Sequence, residues 1–265
     1  LRALEPYKPP PEEIEMTRPL HERHALITGA GSGIGAAIAL ALAQQGCRLT
    51  LAGRSQETLQ KQAEHIRQHV PEVSVILAPL DVTDPGSVTR FRDSAYAQSD
   101  NIDVVVNVAG WSKVEHFVNT TPDLWDKLID LNYTGTLRVV HAFLPKLIAR
   151  GEGKVVNVAS DAGRAGSGGE AVYAGTKGGI IAFTKSLARE TARYKLNINC
   201  VCPGPTDTPM LRVFVARPDS QLPPGETVLV FTTDKPAQKI GTDPRELAFM
   251  VANLEIVVQP ASVRQ

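Results

Sequence analysis

The sequence predicts an α/β fold of three layers: a doubly wound parallel sheet with helices on both faces, in a single domain. Three observations carry this. Short apolar or β-branched runs alternate with longer Ala- and Leu-rich stretches between residues 24 and 201. Successive runs are separated by enough chain for a helix, as a right-handed parallel crossover requires. The run at 102–106 is almost wholly apolar, the pattern of a strand buried on both faces rather than one.

Taken in order, 24–28 reads as a strand that ends in a glycine cluster, and 34–45 as an Ala-, Ile- and Leu-rich helix. Residues 48–52 form the second strand. The helix at 57–70 carries Leu59, Ala63 and Ile66 on one stripe. A third strand covers 73–78. Asp84 is an N-cap with Pro85 at the first helical position. The fourth strand, 102–106, precedes one long helix over 121–150, capped by Thr121 or Asp123. A fifth strand at 154–158, a helix at 171–194 and a sixth strand at 196–201 complete the alternation, with strand order 3-2-1-4-5-6 expected. From Pro203 to Pro236 seven prolines break the pattern into loops. There 205–235 reads as a substrate loop, with a strand at 227–231, a helix at 243–254 and a short strand at 256–258. Residues 1–20, with five prolines among glutamates, read as a flexible leader in which Met16 is a candidate start. The remainder, 21–265, reads as one nucleotide-binding and catalytic domain.

Composition narrows the function. The 265 residues carry 28 Lys+Arg against 28 Asp+Glu, which disfavours a nucleic-acid partner. No apolar run is long enough to span a bilayer, so no membrane partner is expected. Three cysteines, two of them as Cys200-x-Cys202, form neither a disulfide framework nor a zinc pattern. A cytoplasmic setting, a small-molecule substrate and no metal are expected.

The strongest local signal is Thr28-Gly29-Ala30-Gly31-Ser32-Gly33-Ile34-Gly35, between the first strand and the first helix. Glycines let backbone approach a pyrophosphate without Cβ clashes, and the helix N-terminus offers unpaired N–H groups and partial positive charge. The bland alternative is an ordinary glycine turn. Four glycines in seven residues at a strand-to-helix junction favour a dinucleotide, and so a Rossmann-type sheet.

Further motifs follow in order: Asn107-Val108-Ala109-Gly110, Asn132 within Leu131-Asn132-Tyr133-Thr134-Gly135, Ser160, Tyr173-Ala174-Gly175-Thr176-Lys177 and Pro203-Gly204. With the glycine loop, they make residues 22–210 resemble the short-chain dehydrogenase/reductase family. The resemblance implies an NAD(P)-dependent oxidoreductase that moves a hydride between a nicotinamide and a carbonyl or secondary alcohol. It implies Asn132, Ser160, Tyr173 and Lys177 as the catalytic set. Tyrosine ordinarily titrates near ~10, too high for base work at neutral pH. Lys177, four residues on, shares a helix face with Tyr173 and is expected to depress it. By resemblance Lys177 also holds the nicotinamide ribose, Ser160 orients the substrate oxygen, and Asn132 anchors a water in a proton relay. Cofactor contacts implied in the same way are Thr28, Gly29, Gly31, Ser32, Gly33, Ile34, Gly35, Asp81, Val82, Asn107, Ala109, Gly110, Pro203, Gly204, Thr206 and Thr208. For the two threonines the bland reading is local turn bonding.

The second strand ends Leu51-Ala52-Gly53-Arg54-Ser55, with no carboxylate to grip a ribose 2′-hydroxyl. Arg54 offers a fork suited to a 2′-phosphate. NADP is therefore the expected cofactor, with NAD the alternative. Within the family, Trp111, the run 160–173 and the run 202–208 are most similar to 2-hydroxycyclohexanecarboxyl-CoA dehydrogenases and 3-oxoacyl-carrier-protein reductases. That implies a 3-oxoacyl or 3-hydroxyacyl thioester. The family's closing strand and Gly-Gly after Ile240-Gly241 are absent from the sequence. A seventh sheet strand is thus in doubt, and with it the C-terminal interface of a homodimer or homotetramer. The second functional reading is a nucleotide-binding scaffold without turnover.

Overall fold

A computed structural model describes residues 20–99, 101–215, 228–232 and 255–259. The expected leader, apart from Leu20, the helix expected at 243–254 and much of the 205–235 loop lie outside them. Six parallel strands form one sheet in the order β3-β2-β1-β4-β5-β6. They are β1 (His24–Thr28), β2 (Arg48–Gly53), β3 (Val75–Pro79), β4 (Val104–Asn107), β5 (Glu152–Val158) and β6 (Lys195–Val201). This is the expected Rossmann-type order.

Helices α1 (Gly33–Gln44) and α2 (Gln56–His69) cover one face. Ala39, Ala43, Leu59, Ala63 and Ile66 pack there against Ala25, Ile27, Leu49 and Leu51. Small alanines let α1 lie close to the strands it follows. On the other face lie α3 (Pro85–Gln98), a helical stretch ending in α5 (Gly135–Arg150), and α7 (Ala171–Glu190). Phe91 and Phe143 meet edge-on there, ring centroids 5.6 Å apart, in a cluster with Leu26, Val105 and Val155. Alternate residues of β1 thus reach opposite layers, as a strand buried on both faces requires.

Capping follows the sequence. Asp84 accepts from Gly86 N at 2.8 Å and Thr121 from Leu124 N at 3.4 Å, each followed by proline at the first helical position.

The structure corrects three expectations. The single helix expected at 121–150 is α4 (Pro122–Ile129), a π-helical turn (Asp130–Thr134) and α5. The Asn132 amide enters the ladder, donating to Leu128 O at 3.0 Å and Trp111 O at 2.8 Å. A side chain inserted in this way widens the turn without breaking the helix. The substrate loop expected at 205–235 begins with a short helix, α8 (Pro209–Val215), because Thr208 Oγ1 accepts from Leu211 N at 3.3 Å. A further short helix, α6 (Ala162–Ala165), was not read from the sequence at all. Among the described residues, β7 (Val228–Thr232) and β8 (Glu255–Gln259) pair antiparallel with one another and not with the six-stranded sheet.

Candidate active site

The parallel sheet brings all strand carboxyl ends to one edge, where successive motifs emerge side by side. Thr28, Asn107, Asn157 and Cys200 form one row across β1, β4, β5 and β6. Thr28 Oγ1 accepts from Val108 N at 3.0 Å and Ala109 N at 3.1 Å, tying the glycine loop to the segment after β4. Asn107 Nδ2 donates to Asn157 Oδ1 at 2.8 Å, and Asn157 Nδ2 donates to Thr184 Oγ1 at 3.0 Å. That chain bolts β4 and β5 to α7, the helix that carries Tyr173 and Lys177.

The glycine loop is a cradle that side chains would fill. Gly29 has φ +65, and a Cβ there would lie 3.0 Å from the Ala109 backbone. A Cβ on Gly35 would strike the Gly29 carbonyl. Ser32 starts α1 without a side-chain cap, and the first turn holds no acidic residue, so its N–H groups face outward for an anion. The backbone therefore fits a pyrophosphate. Val82 packs where a Cβ on Gly135 would be, 2.6 Å from Val82 Cγ2. Asp81 Oδ1 accepts from Thr83 N at 2.9 Å and Thr83 Oγ1 at 2.7 Å, which holds its carboxyl below the usual range, with a smaller pull from Arg54. Arg54 itself is exposed, one residue beyond β2.

One face of α7 buries Tyr173, Thr176, Lys177, Ile180 and Thr184. Lys177 Nζ donates to Val158 O at 2.9 Å and lies 5.7 Å from the centroid of the Tyr173 ring. Burial lowers the Lys177 amine to about 8. Tyr173 moves the other way. Burial raises its hydroxyl above the ordinary value, while a hydrogen bond with Ser160 pulls it back down and the Glu170 charge pushes it up. The depression by Lys177 expected from sequence is not what sets this group. Lys177 is not among the groups that move it: desolvation of the nearly buried phenol dominates, and the lysine is turned onto a backbone carbonyl. Ser160 is half-buried after β5, its Oγ accepting from Ala162 N at 3.1 Å. Asn132 is wholly buried, and its Oδ1 accepts from Trp111 N at 2.9 Å. A Cβ on Gly110 would lie 2.8 Å from that Oδ1 and 3.5 Å from Lys177 Nζ, so these three residues converge.

The family model described as short chain dehydrogenase matches residues 23–218. The chain belongs to this family. As a short-chain dehydrogenase it is an oxidoreductase that uses a nicotinamide cofactor on a small-molecule substrate. It is 38% identical over 189 residues to an uncharacterized oxidoreductase of Staphylococcus epidermidis, covering 71% of this chain and 80% of that one. An uncharacterized oxidoreductase of Staphylococcus aureus strain MW2 is 35% identical over the same shares. Among solved structures, a variant actinorhodin polyketide ketoreductase with NADPH superposes with TM-score 0.71 at 32% identity, covering 73% of this chain and 74% of that one. Levodione reductase superposes with TM-score 0.71 at 31% identity, covering 73% and 75%.

Two of the expected cofactor contacts of this dehydrogenase also bond locally. Thr206 Oγ1 donates to Gly204 O at 3.0 Å, and Thr208 caps α8. Thr208 also stands beside the loop, its Cγ2 3.1 Å from where a Gly33 Cβ would be. Two features escaped the sequence reading. Glu170 joins the segments after β4 and β5, accepting from Ser112 Oγ at 2.5 Å and Ser167 Oγ at 2.8 Å. It lines a narrow cleft with Phe117, Leu124, Gly169, Val172 and Tyr173. The Asn157–Thr184 bond was missed too, because nothing in sequence spacing pairs a strand residue with a helix 27 positions on. A larger cleft of about 570 Å³ between α3 and α5, lined by Tyr96, His141 and Lys146, shares no residue with the Tyr173 group. No described helix is long and apolar enough to cross a membrane.

Proposed function

We propose that this dehydrogenase is an NADP(H)-dependent ketone reductase whose substrate is a 3-oxoacyl thioester. The observation that carries the reading is the convergence of Ser160, Tyr173 and Lys177 at the carboxyl edge of the sheet, where ligands gather in open α/β folds. A bound nicotinamide supplies the hydride. The proton on the product oxygen comes from Tyr173, whose raised hydroxyl stays protonated at neutral pH and so suits donation. Ser160 shares that hydrogen bond and orients the carbonyl. Lys177 at about 8 keeps most of its charge at neutral pH, stands beside the Tyr173 ring and would hold the nicotinamide ribose. Asn132 acts as a positioning residue, holding Trp111 and hence Gly110 against Lys177.

The glycine loop Thr28–Gly35, with Asp81, Val82, Asn107, Ala109 and the stretch from Pro203 to Thr208, forms the cofactor-binding set in this reading. Arg54 and the missing carboxylate at the β2 tip support NADP over NAD. The thioester reading draws support from the sequence runs around Trp111 and 160–173 and from the likeness to a polyketide ketoreductase with NADPH. The test is cofactor consumption over a panel of simple ketones and 3-oxoacyl thioesters. The expected result is faster oxidation of NADPH than of NADH, highest with a thioester. In Arg54→Ala the NADPH KM should rise about ten- to a hundredfold with the NADH KM nearly unchanged, the scale of losing one charge-assisted contact of about 1.5–3 kcal/mol. A parent that prefers NADH, or accepts only simple ketones, overturns the corresponding part.

A further inference from the structure

Cys200 lies at the end of β6 and Cys202 two residues on, so the two-residue period of extended chain turns both toward the same side. Their sulfurs are 3.9 Å apart, and both residues are half-buried. Cys200 stands in register with Asn157, whose amide reaches Thr184 on α7, so the pair faces the helix of the catalytic lysine. The residues flanking Cys202 hold the Ser160 segment: Val201 O accepts from Ala159 N at 2.8 Å and Pro203 O from Asp161 N at 2.8 Å. We propose that Cys200 and Cys202 are a modification site, closing to a reversible disulfide on exposure to a hydroperoxide and thereby displacing Ser160.

The chemistry balances without any other reactant. The Cys202 thiolate attacks the peroxide oxygen, giving a sulfenic acid and releasing water or an alcohol. The Cys200 sulfur then attacks the Cys202 sulfur, the S–S bond forms and water leaves. Two thiols are oxidised, one peroxide is reduced, and a dithiol reverses the step by exchange. Cys202 is the attacking sulfur because the hydrogen bond the two sulfurs share and the nearby Arg164 charge both favour its thiolate. Cys200 is correspondingly held as the thiol. Cys47 is the internal contrast. It is buried, donates to Leu20 O at 3.6 Å, and burial raises its thiol to about 11, so it stays unreactive.

Closing the bridge moves the chain. Two extended residues place their Cα atoms about 6.6 Å apart, at the upper end of the range a disulfide accepts, so the sulfurs approach only as the strand end contracts. The contraction displaces the Val201 and Pro203 carbonyls, and the Ala159 and Asp161 amides with them. The loss of turnover rests on the proposed ketone reduction, whereas formation of the disulfide does not.

The test treats the full chain with hydrogen peroxide and follows intact mass, thiol alkylation, NADPH turnover and amide exchange. The expected result is loss of two hydrogen masses within the peptide containing Cys200 and Cys202, with Cys47 still alkylatable. Exchange at Ala159 and Asp161 should quicken, and turnover should fall at least about tenfold, since an ångström of misplacement can cost about a hundredfold. Dithiothreitol should restore all three. Cys200→Ser should keep basal turnover and lose the mass change. Oxygen addition to Cys202 without hydrogen loss, intermolecular bridging, or oxidation of Cys47 first overturns the site. A bridge that forms while exchange at Ala159 and Asp161 is unchanged overturns its coupling to Ser160, even in a preparation that turns over no ketone.

Discussion

His24 opens β1, the strand that carries the glycine loop, and its ring is almost fully enclosed. Nδ1 lies 2.8 Å from Ser99 Oγ and Nε2 2.8 Å from Thr50 Oγ1, while Asp103 Oδ2 accepts from the His24 backbone at 2.8 Å. Burial lowers the imidazole from 6.5 to about 4. Arg48 adds to that lowering, and Asp103 opposes it. Below pH 6.5 the unfolded chain takes up a proton that the folded chain refuses. Stability is therefore lost as the pH falls from 6.5 toward 4, and the slope from this residue levels below that. The depression corresponds to about 3 kcal/mol, or roughly 6–12 °C in Tm for a domain of this size. Urea unfolding of the parent and of His24→Gln, each at about pH 7.5 and about pH 4.5, isolates the effect. Carboxylates contribute equally to both chains, so the difference in their pH slopes belongs to His24. The parent should lose about 2.5 kcal/mol more than the variant over that interval. Slopes that agree within about 0.5 kcal/mol would refute the assignment of a neutral, buried His24.

Two further perturbations probe how the fold positions the site. Gly35→Ala places a Cβ on the Gly29 carbonyl, so the loop must shift. NADPH Kd, read by fluorescence, should rise by about ten- to a hundredfold, the equivalent of about 1–3 kcal/mol of overpacking, with little change in far-ultraviolet circular dichroism. Unchanged affinity would show that the loop does not bind the cofactor. Asn157→Ala leaves Asn107 Nδ2 and Thr184 Oγ1 without their shared partner and should cost about 2–4 kcal/mol in chemical unfolding. A loss under about 0.5 kcal/mol would mean the bolt between β5 and α7 is not structural.

The six-stranded order was legible because each strand is a compact apolar run and each crossover has helical periodicity. The glycine loop was legible because its residues are local in sequence and act through backbone. Side-chain geometry assembled from distant segments was less so. The π-helical turn at Asn132 leaves the run of apolar residues in 121–150 looking continuous, so no sequence signal marks it. The acidity of Tyr173 was read from its spacing to Lys177, yet the direction follows from burial, which spacing does not report. The helix Pro209–Val215 did carry a signal, Thr208 before Pro209 as cap and first position, but it was outweighed by the prolines around it. His24 looked like an ordinary strand residue because Ser99 and Thr50, which enclose it, come from other elements.

In the proposed nicotinamide-dependent reduction Tyr173 donates the proton, and Tyr173→Phe removes that donor. The substitution removes one hydroxyl and keeps the ring that packs on α7. Turnover with the best carbonyl substrate should fall by about a hundredfold or more, the scale of losing a general acid, while the NADPH Kd stays within about twofold of the parent. Turnover equal to the parent's would contradict the account.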